Sequence, residues 1–353
     1  MSVVLVTGGA GFIGANFVHY LLGQRPEWQI INLDSLTYAG NPENLAALAG
    51  DPRHILVQGD VADRELVASL FARHPITRVV HFAAETHVDR SIMNPGVFVR
   101  TNVLGTFTLL EAARQAWQGL KGAEPRFLHI STDEVYGSLG PQDPAFTETT
   151  PYSPNSPYAA SKAGADFLVR SYCHTYGFPA MITNCSNNYG PYQFPEKLIP
   201  FALSQALAGK PVPIYGAGTN IRDWIFVTDH CRGALLVLEQ GRPGETYNLG
   251  GHQEKPNLEL VHLLLKLLGE MRPDLGHPED LITFVTDRPG HDWRYALNTA
   301  KIERELGWRP QVVLEEGLRR TLSWYLAHQD WLERVRSGAY RDFLRRQYGG
   351  AVV

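Results

Sequence analysis

At 353 residues and 39.3 kDa the chain is long enough to bury a full hydrophobic core, as one large domain or two joined ones. Hydrophobic residues make up 44% and charged residues 19%, the balance of a globular protein, and a net charge of −4 argues against nucleic acid as a partner. Three widely spaced cysteines (Cys173, Cys185, Cys231) match no metal-ligand pattern, no apolar run reaches the length of a membrane span, and the first strand starts at Val3, so a cytoplasmic protein without metal or signal peptide is expected.

Val3-Val4-Leu5-Val6 is an apolar strand running straight into Thr7-Gly8-Gly9-Ala10-Gly11-Phe12-Ile13-Gly14, with an amphipathic helix expected over 15–22. A first glycine permits a tight turn, a second lets backbone approach a pyrophosphate, and a third lets helix pack on strand. The free amides and positive dipole of the helix start would then meet the pyrophosphate. Asp34 closes the next strand, 20 residues beyond Gly14 (34 − 14). A carboxylate there suits the ribose hydroxyls of an adenosine and repels a 2′-phosphate, which favours NAD over NADP.

Two further strand ends follow, His54 to Val61 with Asp60 at its close, and Arg78 to Thr86, whose small Ala83 and Ala84 suit close backbone approach. His87, Asp89 and Arg90 read as loop anchors. Thr101-Asn102 are expected to open a helix that runs through Glu111 to Gln115.

Phe127-Leu128-His129-Ile130 is a short buried strand, and Thr132, Asp133 and Glu134 stand at its C-terminal end, where open α/β sheets place their chemistry. A Pro-rich stretch from Pro151 to Pro157 then leads into a helix expected over 158–176. Tyr158 and Lys162 are one turn apart on it and share a face. An ammonium beside a phenol favours phenolate, so Lys162 is expected to pull Tyr158 below its reference pKa of about 10 and make it a base.

Beyond, Ala180 to Thr183 is a strand, Pro195 to Pro200 begins a helix, and Val227 to His230 precedes a helix that returns to the main sheet together with the strand from Thr246. Asn257 is expected to cap a helix over 258–268, and further amphipathic helices are expected over 315–328 and 331–348. Asp287-Arg288-Pro289-Gly290-His291-Asp292 is a sharp turn with convergent charge. Arg341, Arg345 and Arg346 read as a solvated helix face.

Thr132, Tyr158 and Lys162 resemble the Ser/Thr-Tyr-Lys triad of the extended short-chain dehydrogenase/reductase family. The adjacent Asp133-Glu134 pair is similar to that of the NAD-dependent nucleotide-sugar 4,6-dehydratases within it. The resemblance runs from Val3 to about Tyr325, and implies a Rossmann-type doubly wound parallel sheet with a smaller C-terminal α+β substrate-binding domain. The implied division is 1–188 for the NAD-binding domain with returning elements near 225–250, 189–330 for the nucleotide-sugar part, and 331–353 as a helical tail.

The same resemblance implies dTDP-glucose as substrate, converted to dTDP-4-keto-6-deoxyglucose and water by C4 oxidation, elimination across C5 and C6, and reduction at C6. Tyr158 would be the base at the 4-hydroxyl, Thr132 its partner on the 4-oxygen, Glu134 the base at C5 and Asp133 the acid at the 6-hydroxyl. The implied cofactor contacts are Gly8, Gly11, Phe12, Ile13, Gly14, Asp34, Asp60, Val61, Phe82, Ala83, Ala84, Thr86, Thr101, Tyr158, Lys162 and Asn188. The implied substrate contacts are Thr86, Thr132, Asn187, Lys197, Leu198, Pro213, Tyr215, Arg222, Asn257, Asp287, Arg288 and His291. A homodimer through the helices near 101–116 and 158–176 is implied as well. The alternatives are another NAD-dependent nucleotide-sugar dehydratase or 4-epimerase and, from a different class, a protein that senses NAD without turnover. An epimerase needs no second acid–base couple, so Asp133-Glu134 argues against it.

Overall fold

A computed structural model describes residues 2–120, 122, 124–287 and 290–336 of the chain. The substrate expectation at Arg288, the arginine cluster at 341–346 and most of the 331–353 tail lie outside the described residues.

The first half alternates strand and helix: β1 (Val3–Thr7), α1 (Phe12–Gln24), β2 (Gln29–Asp34), β3 (His54–Gln58), α2 (Arg64–Arg73), β4 (Ile76–His81), α3 (Val88–Met93), α4 (Pro95–Phe98), α5 (Gly105–Trp117), β5 (Arg126–Thr132), α6 (Pro157–Tyr176) and β6 (Ala180–Cys185). The second half shuttles between two bodies through β7 (Asn187–Tyr189), α7 (Leu198–Leu207), β8 (Val212–Tyr215), β9 (Ile221–Phe226), α8 (Val227–Gln240), β10 (Thr246–Leu249), β11 (Glu254–Pro256), α9 (Asn257–Met271), β12 (Ile282–Val285), α10 (Ala300–Leu306), α11 (Leu314–Ala327) and α12 (Gln329–Val335).

The main sheet is parallel throughout, in the order β3-β2-β1-β4-β5-β6-β10. β1 and β6 are buried at every position, which is why their sequences run apolar or small rather than alternating. One face packs on α1 and α8 through Val4, Val6, Phe17, Val18 and Leu238, the other on α2, α5 and α6 through Leu5, Val67, Leu109 and Val169. The chain reverses its direction of spread between β1 and β4, and the crevice this leaves at the strands' C-terminal ends is where such sheets bind ligands. β10 arrives from late in the sequence, so the Thr246 strand does return to the main sheet.

A second, smaller core lies beyond β6. A three-stranded sheet (β11-β9-β7) and a two-stranded one (β12-β8) pack against α7, α9 and α11 around Tyr189, Leu203, Trp224, Leu264 and Leu318. Its strands and helices come only after residue 186.

Local chemistry fixes the two helices that border the crevice. α6 starts where Ser156 Oγ accepts from the Ala159 amide at 3.1 Å, with Pro157 at its first position, and it stops at left-handed Gly177 (φ 63). Thr101 and Asn102 do not open a helix. They sit inside a π-helical turn, Val99–Leu104, that joins α4 to α5 without a break. The extra residue of such a turn redirects side chains, and π turns gather at functional sites. Asn102 exploits it: its amide donates to the Glu85 carbonyl at 3.1 Å and to Ser161 Oγ at 2.8 Å, and its oxygen accepts from the Glu85 amide at 2.9 Å. Asn257 also departs from expectation. It is the first residue of α9 rather than its cap, because Pro256 holds the capping position and Asn257 Oδ1 is buried without a hydrogen-bond partner. No described helix is long and apolar enough to cross a membrane.

Candidate active site

A cleft of about 450 Å³ follows the C-terminal ends of β1, β2, β4, β5 and β6. It is lined by every residue expected at the cofactor, from Gly8 through Asp34, Asp60, Val61 and the 82–86 stretch to Thr101 and Asn188, and by all five expected catalytic residues. At its floor the β1–α1 turn is shaped for backbone rather than side-chain contact. Gly8 is left-handed (φ +72), and a Cβ there would stand 2.6 Å from the Ala83 amide nitrogen. A Cβ on Gly14 would overlap the Gly8 carbonyl oxygen. Only glycine leaves the turn open to a pyrophosphate.

Asp34 is spent partly on its own loop. Its Oδ2 accepts from the Ala10 amide at 2.9 Å and its Oδ1 from the Leu36 amide at 2.8 Å. Burial pushes its pKa up and those two amides pull it down. Each carboxylate oxygen keeps a second acceptor site for a ribose hydroxyl. Asp60 accepts from the Ala62 amide at 2.8 Å and pairs with Arg100 at 2.9 Å, an arginine that sequence reasoning passed over. The turn, the ribose carboxylate and the cleft volume together fit a dinucleotide.

At the other end, Thr132 closes β5 and its hydroxyl accepts from the Glu134 amide at 3.3 Å, starting the short 3-10 turn Asp133–Tyr136. Asp133 is 2% exposed, with Oδ1 taking the Thr132 hydroxyl at 3.3 Å and Oδ2 buried without a hydrogen-bond partner. Its pKa is held well above the usual carboxylate range, first by burial, then by the charges of Glu134 and Asp223, against a weaker pull from Arg222. Its surroundings therefore favour the protonated acid. Glu134, half-buried, stands beside it on the cleft wall. Asn187 Oδ1, also on that wall, is a second buried acceptor without a hydrogen-bond partner.

Tyr158 and Lys162 face the cleft from α6, as their spacing implies, but their coupling differs from expectation. Lys162 Nζ donates to the Ile130 carbonyl at 2.7 Å and meets His129 Nε2 at 3.4 Å. Tyr158 is raised well above its ordinary pKa by burial and then by the charge of Glu134, an effect that the Thr132 hydroxyl only partly offsets. Desolvation outweighs the expected help from the ammonium in the protein by itself. Burial also draws Lys162 down to about 8.

The expected substrate residues fall into two groups. Thr86, Thr132, Asn187 and Lys197 line the cleft, where Lys197 Nζ donates to the Thr86 carbonyl at 3.1 Å across 111 positions of sequence. Leu198, Pro213, Tyr215, Arg222, Asn257, Asp287 and His291 belong to the smaller body and do not line it. There His291 Nδ1 lies 2.7 Å from Asp287 Oδ1 and its ring meets the Tyr215 ring edge-on at 6.1 Å. Arg222 is 5% exposed, donates to the carbonyls of Ile221, Asp292 and Trp293, and lies 4.3 Å over the Tyr295 ring.

Three supports were not singled out from sequence. His230, buried on α8 and pushed down to about 4 by burial, is neutral and its Nδ1 meets Asn188 Oδ1 at 2.9 Å, fixing the amide at the cleft. Glu196 lines the cleft and is held by Arg90 at 3.0 Å and by the Tyr38 hydroxyl at 3.1 Å. Arg90 thus acts as the anchor expected of it. Asn102 is the third, and nothing local in sequence announces a π turn.

The profile of the GDP-mannose 4,6 dehydratase family matches residues 5–321. The chain belongs to that family. Within its range, a dTDP-glucose 4,6-dehydratase of Xanthomonas campestris is 54% identical over 97% of this chain and 98% of its own length. One from Escherichia coli is 50% identical over 98% and 99%. Among solved structures, a dTDP-glucose 4,6-dehydratase of Streptomyces venezuelae with NAD bound superposes with a TM-score of 0.88 at 50% identity, covering 94% of this chain and 99% of that one. A UDP-glucose 4-epimerase of Thermotoga maritima shares the fold at TM-score 0.82 but only 29% identity, over 93% and 99%.

Proposed function

We propose that this chain is a dTDP-glucose 4,6-dehydratase, an NAD-dependent hydro-lyase of deoxysugar biosynthesis that converts dTDP-glucose to dTDP-4-keto-6-deoxyglucose and water. The observation that carries the reading is the Asp133-Glu134 pair, Asp133 sealed and its pKa raised by burial, on the wall of the cleft that also holds Tyr158 and Lys162. Two adjacent carboxyls in unlike surroundings, one sealed and one half-buried, can supply an acid and a base, which elimination of water needs and epimerisation does not.

The 8–14 turn, Asp34 and the strand ends would hold NAD, which when bound would supply the hydride acceptor for C4 and, once reduced, the hydride donor for C6. Tyr158 takes the proton of the sugar 4-hydroxyl, with Thr132 hydrogen-bonded to the same oxygen. A carbonyl at C4 acidifies the C5 proton, and Glu134 removes it. Asp133 gives its proton to the departing 6-hydroxyl, so water leaves rather than hydroxide. Lys162 would hold the ribose beside Tyr158, and its positive charge favours the phenolate that Tyr158 must be before it takes that proton.

Asn187, Lys197, Leu198, Pro213, Tyr215, Arg222, Asn257, Asp287, Arg288 and His291 form the nucleotide-sugar site in this reading. The support is that two of them share the cleft with Thr132 while the Asp287–His291 turn sits against Tyr215. A guanidinium at Arg222 matches phosphate oxygens in a way that lysine does not. We divide the chain at 188/189, supported by the separate core that begins at Tyr189; that core also takes in Trp331 and Leu332, which a tail over 331–353 would leave out. A homodimer through the helices near 101–116 and 158–176 is supported by apolar side chains left exposed there, Leu104, Phe167 and Tyr176 among them. Three free cysteines suit the cytoplasm.

The test is purified protein given dTDP-glucose without added NAD, with UDP-glucose in parallel, followed by the alkali-induced absorbance of a 4-keto-6-deoxy sugar. Product from dTDP-glucose alone is expected. Recovery of dTDP-galactose or UDP-galactose instead would make the protein an epimerase and return Asp133 and Glu134 to structural roles.

A further inference from the structure

Between β5 and α6, behind the cleft, lies a sealed polar cluster that the dehydration chemistry leaves unused. His129 and Asp166 are both fully buried. His129 Nε2 stands 3.2 Å from Asp166 Oδ1 and 3.4 Å from Lys162 Nζ, so both charged groups stand against the same ring nitrogen. The other carboxylate oxygen accepts from the Ser131 hydroxyl at 2.8 Å and the Tyr152 hydroxyl at 2.9 Å. Two hydroxyl donors fill the acceptor sites of that one oxygen.

A carboxylate shut in a dry interior is costly unless it answers a cation. His129 is not that cation, since burial and the neighbouring Lys162 push it down to about 4 and leave it neutral. Arg170 reaches the Tyr152 hydroxyl at 2.8 Å. The groups that face Lys162 are His81 from β4, His129 from β5, Asp133 and Glu134 beyond its end, Cys185 from β6, and Tyr158 and Asp166 from its own helix. Of these, Asp166 is the first that holds the lysine's proton against burial. Around Asp166 stand His129, Lys162, Tyr136, Tyr152 and Arg170.

We propose that Asp166, one helical turn from Lys162 on α6 with His129 set against both, is the counter-charge that keeps Lys162 protonated and fixed at the cleft, and so is a positioning residue for the dehydration. It touches neither substrate nor cofactor, and the proposal rests on the function inferred above. Asp166→Asn keeps the shape and removes the charge. In the wild type, product formation should fall on the alkaline side as Lys162 loses its proton near pH 8. In Asp166→Asn that limb should move to lower pH by roughly one unit or more, the usual effect of one close opposite charge. The fraction of nucleotide retained after gel filtration at each pH should show the same displacement. Asp166→Glu, which restores the charge, should bring both profiles back toward the wild type. Asp166→Ser is a second neutral replacement if the Asn variant does not fold.

A wild type that retains nucleotide but makes no keto-deoxy product would sink the functional reading, leaving retention against pH to test Asp166. If the wild type turns over while the neutral variants lose activity equally at every pH, with retention unshifted, Asp166 is a packing residue and the inference is overturned.

Discussion

Asp133→Asn separates catalytic need from structural comfort. The side chain is 2% exposed and its pKa is held well above the ordinary carboxylate range in the folded protein, while in the unfolded chain it ionises near the ordinary value of about 3.9. Its folded pKa is raised, so its contribution to stability is fully present below about pH 4 and is lost as pH rises toward the folded value. One proton bound only in the native state gives a slope of about 1.4 kcal/mol per pH unit across that window. Asn is close in size, cannot ionise, and escapes the slope. Urea unfolding at pH 4, 5.5 and 7 should therefore find the variant near the wild type at pH 4 and increasingly more stable above it. Turnover should meanwhile fall by about 10²- to 10⁴-fold, the range for losing a general acid. A variant less stable than wild type by the same amount at all three values would refute the neutral acid, and full turnover would refute its role.

Glu134→Gln should lower turnover by about 10²- to 10⁴-fold with unchanged nucleotide content, since the base acts on the sugar; steady-state rates and the absorbance ratio of the purified protein check both. Gly8→Ala places a side chain at φ +72 and 2.6 Å from the Ala83 amide, and should cost about 1–3 kcal/mol and empty the cleft of nucleotide, seen by thermal unfolding and by extraction. Trp331 Nε1 donates to Asn44 Oδ1 at 2.9 Å, and Asn44 in turn donates to the Ala10 carbonyl at 2.8 Å, tying α12 to the Gly-rich turn. Trp331→Phe removes one neutral hydrogen bond, and nucleotide release in a trapping assay should quicken by roughly two- to tenfold.

Legibility followed the range of the interaction. The Gly8–Gly14 turn and Asp34 could be read because backbone geometry is set by residues next to one another, and Tyr158 with Lys162 because one helical turn fixes a shared face. Asn102 and His230 escaped because each acts on a residue brought close only by the fold, while Asp166, one turn beyond Lys162, escaped because its burial and its contact with His129 come only with the fold. His230 meets Asn188 across 42 positions, and Trp331 meets Asn44 across 287. The π turn at Val99–Leu104 depends on packing against α6 rather than on any local signal. The expected lowering of Tyr158 by Lys162 failed for a physical reason. Spacing reports that two side chains share a face, while the balance of charge against desolvation depends on how deeply they are buried. Asn257 failed as a cap because Pro256 occupies the preceding position.

The most direct test of the account is conversion of dTDP-glucose in heavy water, with the product read by proton NMR. Removal of the C5 proton by Glu134 and its replacement from solvent predict a 4-keto-6-deoxy product carrying deuterium at C5. A galactose-configured product with its C5 proton intact would contradict the account.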